Sequence, residues 1–341
     1  MWLMSPAMVS KSLNFVFVDK EKMALKEEEV PALGPDDILC RAIVSLISAG
    51  TELACLRGVF EPGTSWESWV KYPFYPGYSM TAEVLQVGER VKGIQPGERI
   101  ICQARHMQFF VMNVNEVTKL PEGISDDEGA FMQVAKITLV ALRRAEHQLG
   151  EYVGVIGAGL LGQFVIQYAK LIGARKVIAI APSDARLQLA KENGATDLLS
   201  MEVSEALPYI QTLTAGRLLD TVYDVTGGYE VLSYATQLSK ELGKVILLGD
   251  CTEPSKQSIG PTVVFNSVSI LGIHGRMMAN FKGWTEQDMS EVIFEYMMRK
   301  EINVQKLITH RFSPKEAVSV YDSLRENRLN AMGIMFDWKD L

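Results

Sequence analysis

The chain has few cysteines and no paired ones. Its four, Cys40, Cys55, Cys102 and Cys251, show no Cys-x-x-Cys spacing, which removes the zinc-ribbon class of metal site. A disulfide framework is not expected in a chain of 341 residues without an export signal. Residues 1–9 are too short and lack the basic flank of a secretory leader, so the expectation is a cytoplasmic protein with reduced thiols. Runs of Lys and Arg are missing too, and the net charge is −7. That argues against nucleic acid as a partner. A membrane span is missing as well. The longest apolar stretch, 152–169, has the length of one but contains four glycines and two glutamines. No period of about 20 to 50 residues recurs, which excludes a repeat architecture.

What is present is an ordinary apolar fraction of 48% and a length that allows about two domains. The first third reads as β-rich, with strands predicted at 13–18, 38–46, 80–87 and 99–101, separated by Gly and Pro turn signals. Ser125 followed by Asp126, Asp127 and Glu128 is a helix start, and the helix is predicted to run to residue 147. From 151 onward strands and helices alternate. Strands are predicted at 152–156, 176–181, 220–225 and 244–249, with helices at 160–172, 184–192 and 229–240. Apolar strands joined by such helices imply a parallel sheet with helices on both faces, an α/β doubly wound fold. A polar helix at 286–300 and a strand at 333–336 form a tail expected to pack back on the β-rich region. The domains are therefore placed at 1–125 with 274–341, and at 126–273.

Gly157, Ala158, Gly159, Leu160, Leu161 and Gly162 fit G-x-G-x-x-G between a predicted strand and a predicted helix, the context that gives this pattern meaning. Gly157 permits the turn, Gly159 lets the backbone approach a pyrophosphate, and Gly162 lets helix and strand pack closely. The helix N-terminus offers free N–H groups to the phosphates. The end of the second strand carries Ala181 where a ribose-binding carboxylate is expected. Ser183 and Arg186 follow and could hold a 2′-phosphate, so NADP(H) is favoured over NAD(H). The alternative is that Asp184 or a main-chain group holds an unphosphorylated ribose.

The order of parts resembles the medium-chain dehydrogenase/reductases, the superfamily of zinc alcohol dehydrogenases and quinone reductases. The resemblance rests on Ser48-Ala49-Gly50-Thr51-Glu52-Leu53, Pro76-Gly77-Tyr78, Gly88-Glu89-Arg90-Val91, Pro96-Gly97-Glu98-Arg99 and the glycine fingerprint. It continues through Asp224-Val225-Thr226-Gly227-Gly228, 245–249 and Leu307-Ile308-Thr309-His310. It implies a GroES-like catalytic domain beside the Rossmann domain, with the dinucleotide in the cleft between them. Thr226, Gly249 and His274 would join the cofactor site.

The departures concern zinc. Zinc members carry Cys where this chain has Ala49, a His-Glu pair where it has Tyr78-Ser79, and a third ligand at or beside Gln133. Ala cannot bind zinc, and Tyr and Gln are poor ligands. The structural zinc lobe is reduced to Cys102. The resemblance with these losses implies a zinc-independent oxidoreductase.

Without metal, a carbonyl must be polarised by hydrogen bonds. Tyr78 replaces a zinc ligand and is the first candidate, the other reading being a packed aromatic. Lys136, amid apolar neighbours, could tune a neighbour's pKa or donate a proton, or could reach solvent along its stem. Gln133 and Thr51 are candidates for orienting substrate. Glu52 reads better as a structural ion-pair partner, and His106 reads as packed or exposed. Phe60, Trp66, Trp69, Tyr72, Phe74, Tyr75 and Tyr78 either line a mouth for a cyclic or aromatic substrate or pack the loop down. The leading expectation is hydride transfer to a small-molecule carbonyl, or from its alcohol. Reduction of an activated C=C bond and a non-catalytic redox sensor are the alternatives. A homodimer is expected from the resemblance, with 270–273 a possible edge strand.

Overall fold

The computed structural model describes residues 9–327 and 331–341. The chain divides into two compact units. One holds the residues up to Val59, Glu67–Gln133 and Ile308–Leu341; the other holds Phe60–Trp66 and Val134–Leu307. The expected boundaries at 125/126 and 273/274 therefore move to Gln133/Val134 and Leu307/Ile308. The second shift has a packing cause. Helix Glu286–Met298 buries Met289, Ile293, Phe294 and Met297, and Met289 packs with Val140, Met278 and Phe281. Residues 274–307 thus stay with the Rossmann unit.

That unit is built on a six-stranded sheet. Its strands lie in the order Asp197–Leu199, Lys176–Ile180, Tyr152–Ile156, Leu219–Asp224, Ser239–Leu247, Ser269–Gly272. Every pairing is parallel. In chain order the strands run 3-2-1-4-5-6, so the direction of winding reverses between Tyr152–Ile156 and Leu219–Asp224. Open α/β sheets bind ligands at the carboxyl end of that reversal. Tyr152–Ile156 is buried along its whole length, as a central parallel strand should be. Helices Leu160–Ile172 and Asp184–Glu192 have the bounds the sequence suggests. Strand Asp197–Leu199 and helix Leu207–Leu213 carried too little periodicity to be expected.

Two other expectations change. The helix from Asp126 breaks at Phe131 into Asp126–Ala130 and Met132–Ala145. It ends at Glu146, whose φ is +53°. The strand placed at 244–249 begins earlier, as Ser239–Leu247, and the preceding helix shortens to Val231–Leu238.

The first unit is the β-rich one. Its seven-stranded sheet runs Ile308–Phe312, Gly333–Asp337, Asp37–Leu46, Met80–Val87, Arg99–Cys102, Val117–Lys119, with Phe109–Asn113 also paired to Asp37–Leu46. Gly333–Asp337 lies antiparallel to Asp37–Leu46, which is how the tail returns to the β region. Phe15, Val16, Phe17, Ile38, Ala82, Ile100 and Phe336 form its dry interior. Helix Ala49–Arg57, between two strands of this sheet, was not anticipated. Among the described residues no helix is long and apolar enough to cross a membrane.

Candidate functional site

In the Rossmann unit the glycine turn has the geometry its spacing suggests. Gly157 has φ +102°, and its N–H donates to Ile180 O at 2.9 Å. Gly159 is the residue preceding helix Leu160–Ile172. A Cβ placed on it would meet only Arg186 Nη1, at 3.9 Å. The surface over Gly159 is thus open except for a guanidinium, the setting a phosphate needs. Leu160 and Leu161 open the helix, and Ala158 is buried beneath the turn. Gln163 ties the turn to the next helix: its amide donates to Ala158 O at 3.1 Å and to Arg186 O at 3.0 Å.

The opposite wall is Asp224 to Gly228. Asp224 Oδ1 accepts from the Thr226 N–H at 2.9 Å and the Thr226 hydroxyl at 2.6 Å. The carboxyl is fully buried and its Oδ2 has no hydrogen-bond partner. Burial raises its pKa above the usual carboxylate range, against the hydrogen bonds from Thr226 and Gly227. Gly249 packs against this wall: a Cβ there would lie 2.3 Å from Gly227 N. A cavity of about 760 Å³ opens past Gly249, lined among others by Trp66, Asp250, Cys251, His274 and Arg276. His274 Nδ1 accepts from the Arg276 N–H at 3.2 Å, which places the proton of a neutral ring on Nε2. Ser183 precedes helix Asp184–Glu192 without using its side chain as a cap, so its hydroxyl is not committed to the helix.

The second cluster lies in the β-rich unit. Tyr78 OH donates to Ser48 Oγ and lies 3.5 Å from Thr51 Oγ1. Ser48 Oγ donates to Thr51 Oγ1 at 3.4 Å. Three hydroxyls therefore meet at one point. Burial pushes the Tyr78 phenol upward, against the pull of its bonds to Ser48 and Thr51. It is a neutral donor at physiological pH. Ser79, where zinc members carry a carboxylate, is buried and donates to Ala130 O at 2.5 Å.

Gln133 is 3% exposed and its Oε1 finds no partner, an acceptor that a bound donor would satisfy. Lys136 is buried, and its ammonium pairs with Glu286, so the solvent-reaching alternative is excluded. The aromatic segment divides. Phe60 stacks on Trp66 at 5.7 Å in the Rossmann unit. In the β-rich unit Trp69 meets Phe74 edge-on at 5.2 Å, and Tyr72 and Tyr75 donate to Cys55 O and Glu28. These four pack the segment down on their own unit, and Trp66 lines the cavity. Ser48 was missed as a site residue, because nothing local ties it to a tyrosine 30 residues away.

Residues 161–311 match the family model described as zinc-binding dehydrogenase. An L-threonine 3-dehydrogenase from Paraburkholderia phymatum is 25% identical, over 93% of this chain and 96% of its own length. One from Bacillus licheniformis is 26% identical, over 77% and 84%. Among solved structures, the 2R,3R-butanediol dehydrogenase from Bacillus subtilis superposes with a TM-score of 0.80 at 20% identity, over 96% of this chain and 99% of that one. The chain shares the fold of that structure. The chain aligns with these L-threonine 3-dehydrogenases over most of their length and is similar to them in sequence.

Among the described residues no group of three or more His, Cys, Asp or Glu could hold a metal ion. The family name and the local donor set thus disagree. Ala49 offers no donor atom, Tyr78 is held neutral, and Gln133 offers an amide.

Proposed function

We propose that this dehydrogenase transfers hydride between a nicotinamide dinucleotide and a small-molecule carbonyl or alcohol, without catalytic zinc. The observation that carries this reading is the hydroxyl cluster of Tyr78, Ser48 and Thr51, formed by the segments that would otherwise supply zinc ligands. The residues at those positions do not suit Zn²⁺, which takes thiolate, imidazole and carboxylate. They do suit hydrogen bonding to a carbonyl oxygen.

The dinucleotide supplies or accepts the hydride. Gly157 to Gly162 would hold its pyrophosphate, and Thr226, Gly249 and His274 would border it. Arg186, with its guanidinium over Gly159, and the uncapped Ser183 support NADP(H). In reduction, the Tyr78 O–H would turn from Ser48 Oγ to the substrate oxygen, and the proton given up would be replaced from solvent through the Thr51 and Ser48 hydroxyls. In oxidation the same proton moves the other way. Gln133 Oε1 accepts from a bound donor. Lys136 stands outside the proton step, because its ammonium is paired with Glu286.

A homodimer is part of the proposal. Ser269–Gly272 is the edge of the six-stranded sheet, and nearby Val264 and Phe265 are 86% and 90% exposed. An unpaired strand edge beside two exposed apolar side chains is a surface that a second sheet edge would cover.

Fluorescence titration with NADPH and NADH, followed by turnover of a ketone and enone panel by wild type and Tyr78→Phe, tests the reading. Tighter NADPH binding, a new hydroxyl in the product and a large loss in Y78F are expected. A saturated ketone as product from an enone would assign the chemistry to C=C reduction. Absence of any turnover with cofactor bound would favour a non-catalytic redox protein.

A further inference from the structure

Ser48 is the residue preceding helix Ala49–Arg57, yet its side chain makes no capping hydrogen bond. A serine in that place ordinarily turns its hydroxyl back onto the helix N–H groups. Here the hydroxyl is turned to Tyr78 and Thr51. The main chain is secured instead by Glu52, whose Oε1 accepts from the Ser48 N–H at 2.8 Å, while the Glu52 N–H donates to Ser48 O at 2.9 Å. Glu52 thereby frees the serine hydroxyl for the cluster.

The other oxygen of Glu52 faces inward. Its Oε2 accepts from His106 Nε2 at 3.1 Å and from the Tyr321 hydroxyl. Glu52, His106 and Tyr321 are all 1% exposed or less. Trp338 Nε1 can only donate, and it donates to Ser45 Oγ at 2.9 Å. Ser45 Oγ also lies within hydrogen-bond distance of His106 Nδ1, at 2.7 Å. Glu52 thus meets three partners: the Ser48 N–H, His106 Nε2 and the Tyr321 hydroxyl. The Arg105 guanidinium, whose pKa burial lowers and Glu52 raises, supplies the opposing charge.

His106 and Arg105 also grip the backbone before Tyr78. The His106 N–H donates to Pro76 O at 2.9 Å, and Arg105 Nη1 donates to Gly77 O at 3.2 Å. Gly77 has φ +101°, and a Cβ there would lie 2.6 Å from His106 N and 2.8 Å from its ring. The His106–Glu52 hydrogen bond therefore adds a buried side-chain link between the segment that carries Ser48 and the segment that carries Tyr78, beside the main-chain bond from Leu46 N–H to Ser79 O at 3.0 Å.

We propose that Glu52 and His106 are positioning residues that hold the Ser48 hydroxyl against the Tyr78 hydroxyl, acting on the reaction only through Tyr78. The proposal rests on the reading of Tyr78 as the proton donor. Glu52→Gln keeps one acceptor oxygen where the carboxylate has two, so either the Ser48 N–H or the His106 and Tyr321 donors face an N–H₂, and one end of the link is lost. Misplacing a reacting group by about 1 Å loses about 100-fold in rate, and a loss of about 10- to 100-fold in kcat is expected, with KM for NADPH unchanged.

The test is a double-mutant cycle on NADPH oxidation with cyclohexanone and 2-cyclohexen-1-one as probes, together with crystal structures of the variants. Glu52→Gln should lower kcat in the wild type and have no further effect in the Tyr78→Phe background. Multiplicative losses, with Y78F itself impaired, would overturn the positioning role and leave the Tyr78 reading standing. Full activity of Y78F would overturn both. His106 supplies a second pair of variants if E52Q does not fold. Gln can present its N–H where Nε2 stands and Asn cannot, so H106Q should recover most of the turnover that H106N loses. In the crystals the Ser48 Oγ to Tyr78 OH bond should persist in H106Q and be broken in H106N. The same bond intact in H106N would contradict the inference whatever the turnover.

Discussion

Gly162 faces the carbonyl of Gly157 so closely that a Cβ on Gly162 would stand 2.0 Å from that oxygen. Helix and strand cannot both keep their places around a methyl group there. Gly162→Ala should therefore lower stability by about 1–3 kcal/mol, as overpacking does, and weaken NADPH binding at least about tenfold. At Gly159 a Cβ meets only Arg186 Nη1 at 3.9 Å. Gly159→Ala should leave the melting temperature near wild type and weaken cofactor binding alone. Thermal melts and fluorescence titration on the two variants separate the roles.

Arg186 is the residue on which cofactor choice is proposed to turn. Arg186→Ala should raise Kd for NADPH by about tenfold or more and change Kd for NADH much less, because a charge-assisted contact to a phosphate contributes about 1.5–3 kcal/mol. Added salt should narrow the difference between the cofactors in wild type and have little effect on it in the variant. Equal losses for both cofactors would place Arg186 at the pyrophosphate instead.

Asp224 gives a pH signature. Its folded pKa lies above the ordinary carboxylate value because the group is buried, with Oδ2 unpartnered. A carboxyl raised in the folded state favours folding while it is protonated, and that contribution is lost as pH rises through the folded pKa. Asp224→Asn keeps an acceptor for Thr226 and carries no charge. The variant should match wild type near pH 4 and become the more stable of the two as pH rises toward 7. Melting temperatures across that range provide the check; a variant that weakens with rising pH would mean that Asp224 is stabilised as the anion.

The proposed dimer rests on the edge strand Ser269–Gly272 and on exposed Phe265. Phe265→Asp should shift the mass measured by light scattering toward the monomer without lowering the melting temperature of a monomeric unit. A wild-type protein already monomeric at high concentration would contradict this part of the proposal.

What the sequence revealed, and what it hid, follows from the range of the interactions. The dinucleotide turn is local: strand, glycines and helix are contiguous, and each glycine's reason lies within a few residues or on the neighbouring strand. The hydroxyl cluster is not local. Ser48 and Tyr78 are brought together by the β-rich fold, and Glu52 reaches His106 and Tyr321 across 54 and 269 residues. Periodicity cannot report such pairs. A local hint existed, since Ser48 and Glu52 stand four residues apart at a helix start, but helix Ala49–Arg57 itself was not anticipated. Lys22–Glu29 is a segment for which local composition points the wrong way. Its Lys, Ala, Leu and Glu favour helix, yet it pairs as a strand with Lys11–Asp19 along eight positions. Tertiary pairing overrides the local preference.

The central claim is hydride transfer without zinc. The most direct measurement is metal analysis by mass spectrometry on the same sample that turns over ketone with NADPH, before and after chelation. The account predicts less than about one-tenth of a zinc per chain with turnover unchanged by chelator or added zinc. Stoichiometric zinc whose removal abolishes turnover, and whose return restores it, would contradict the account.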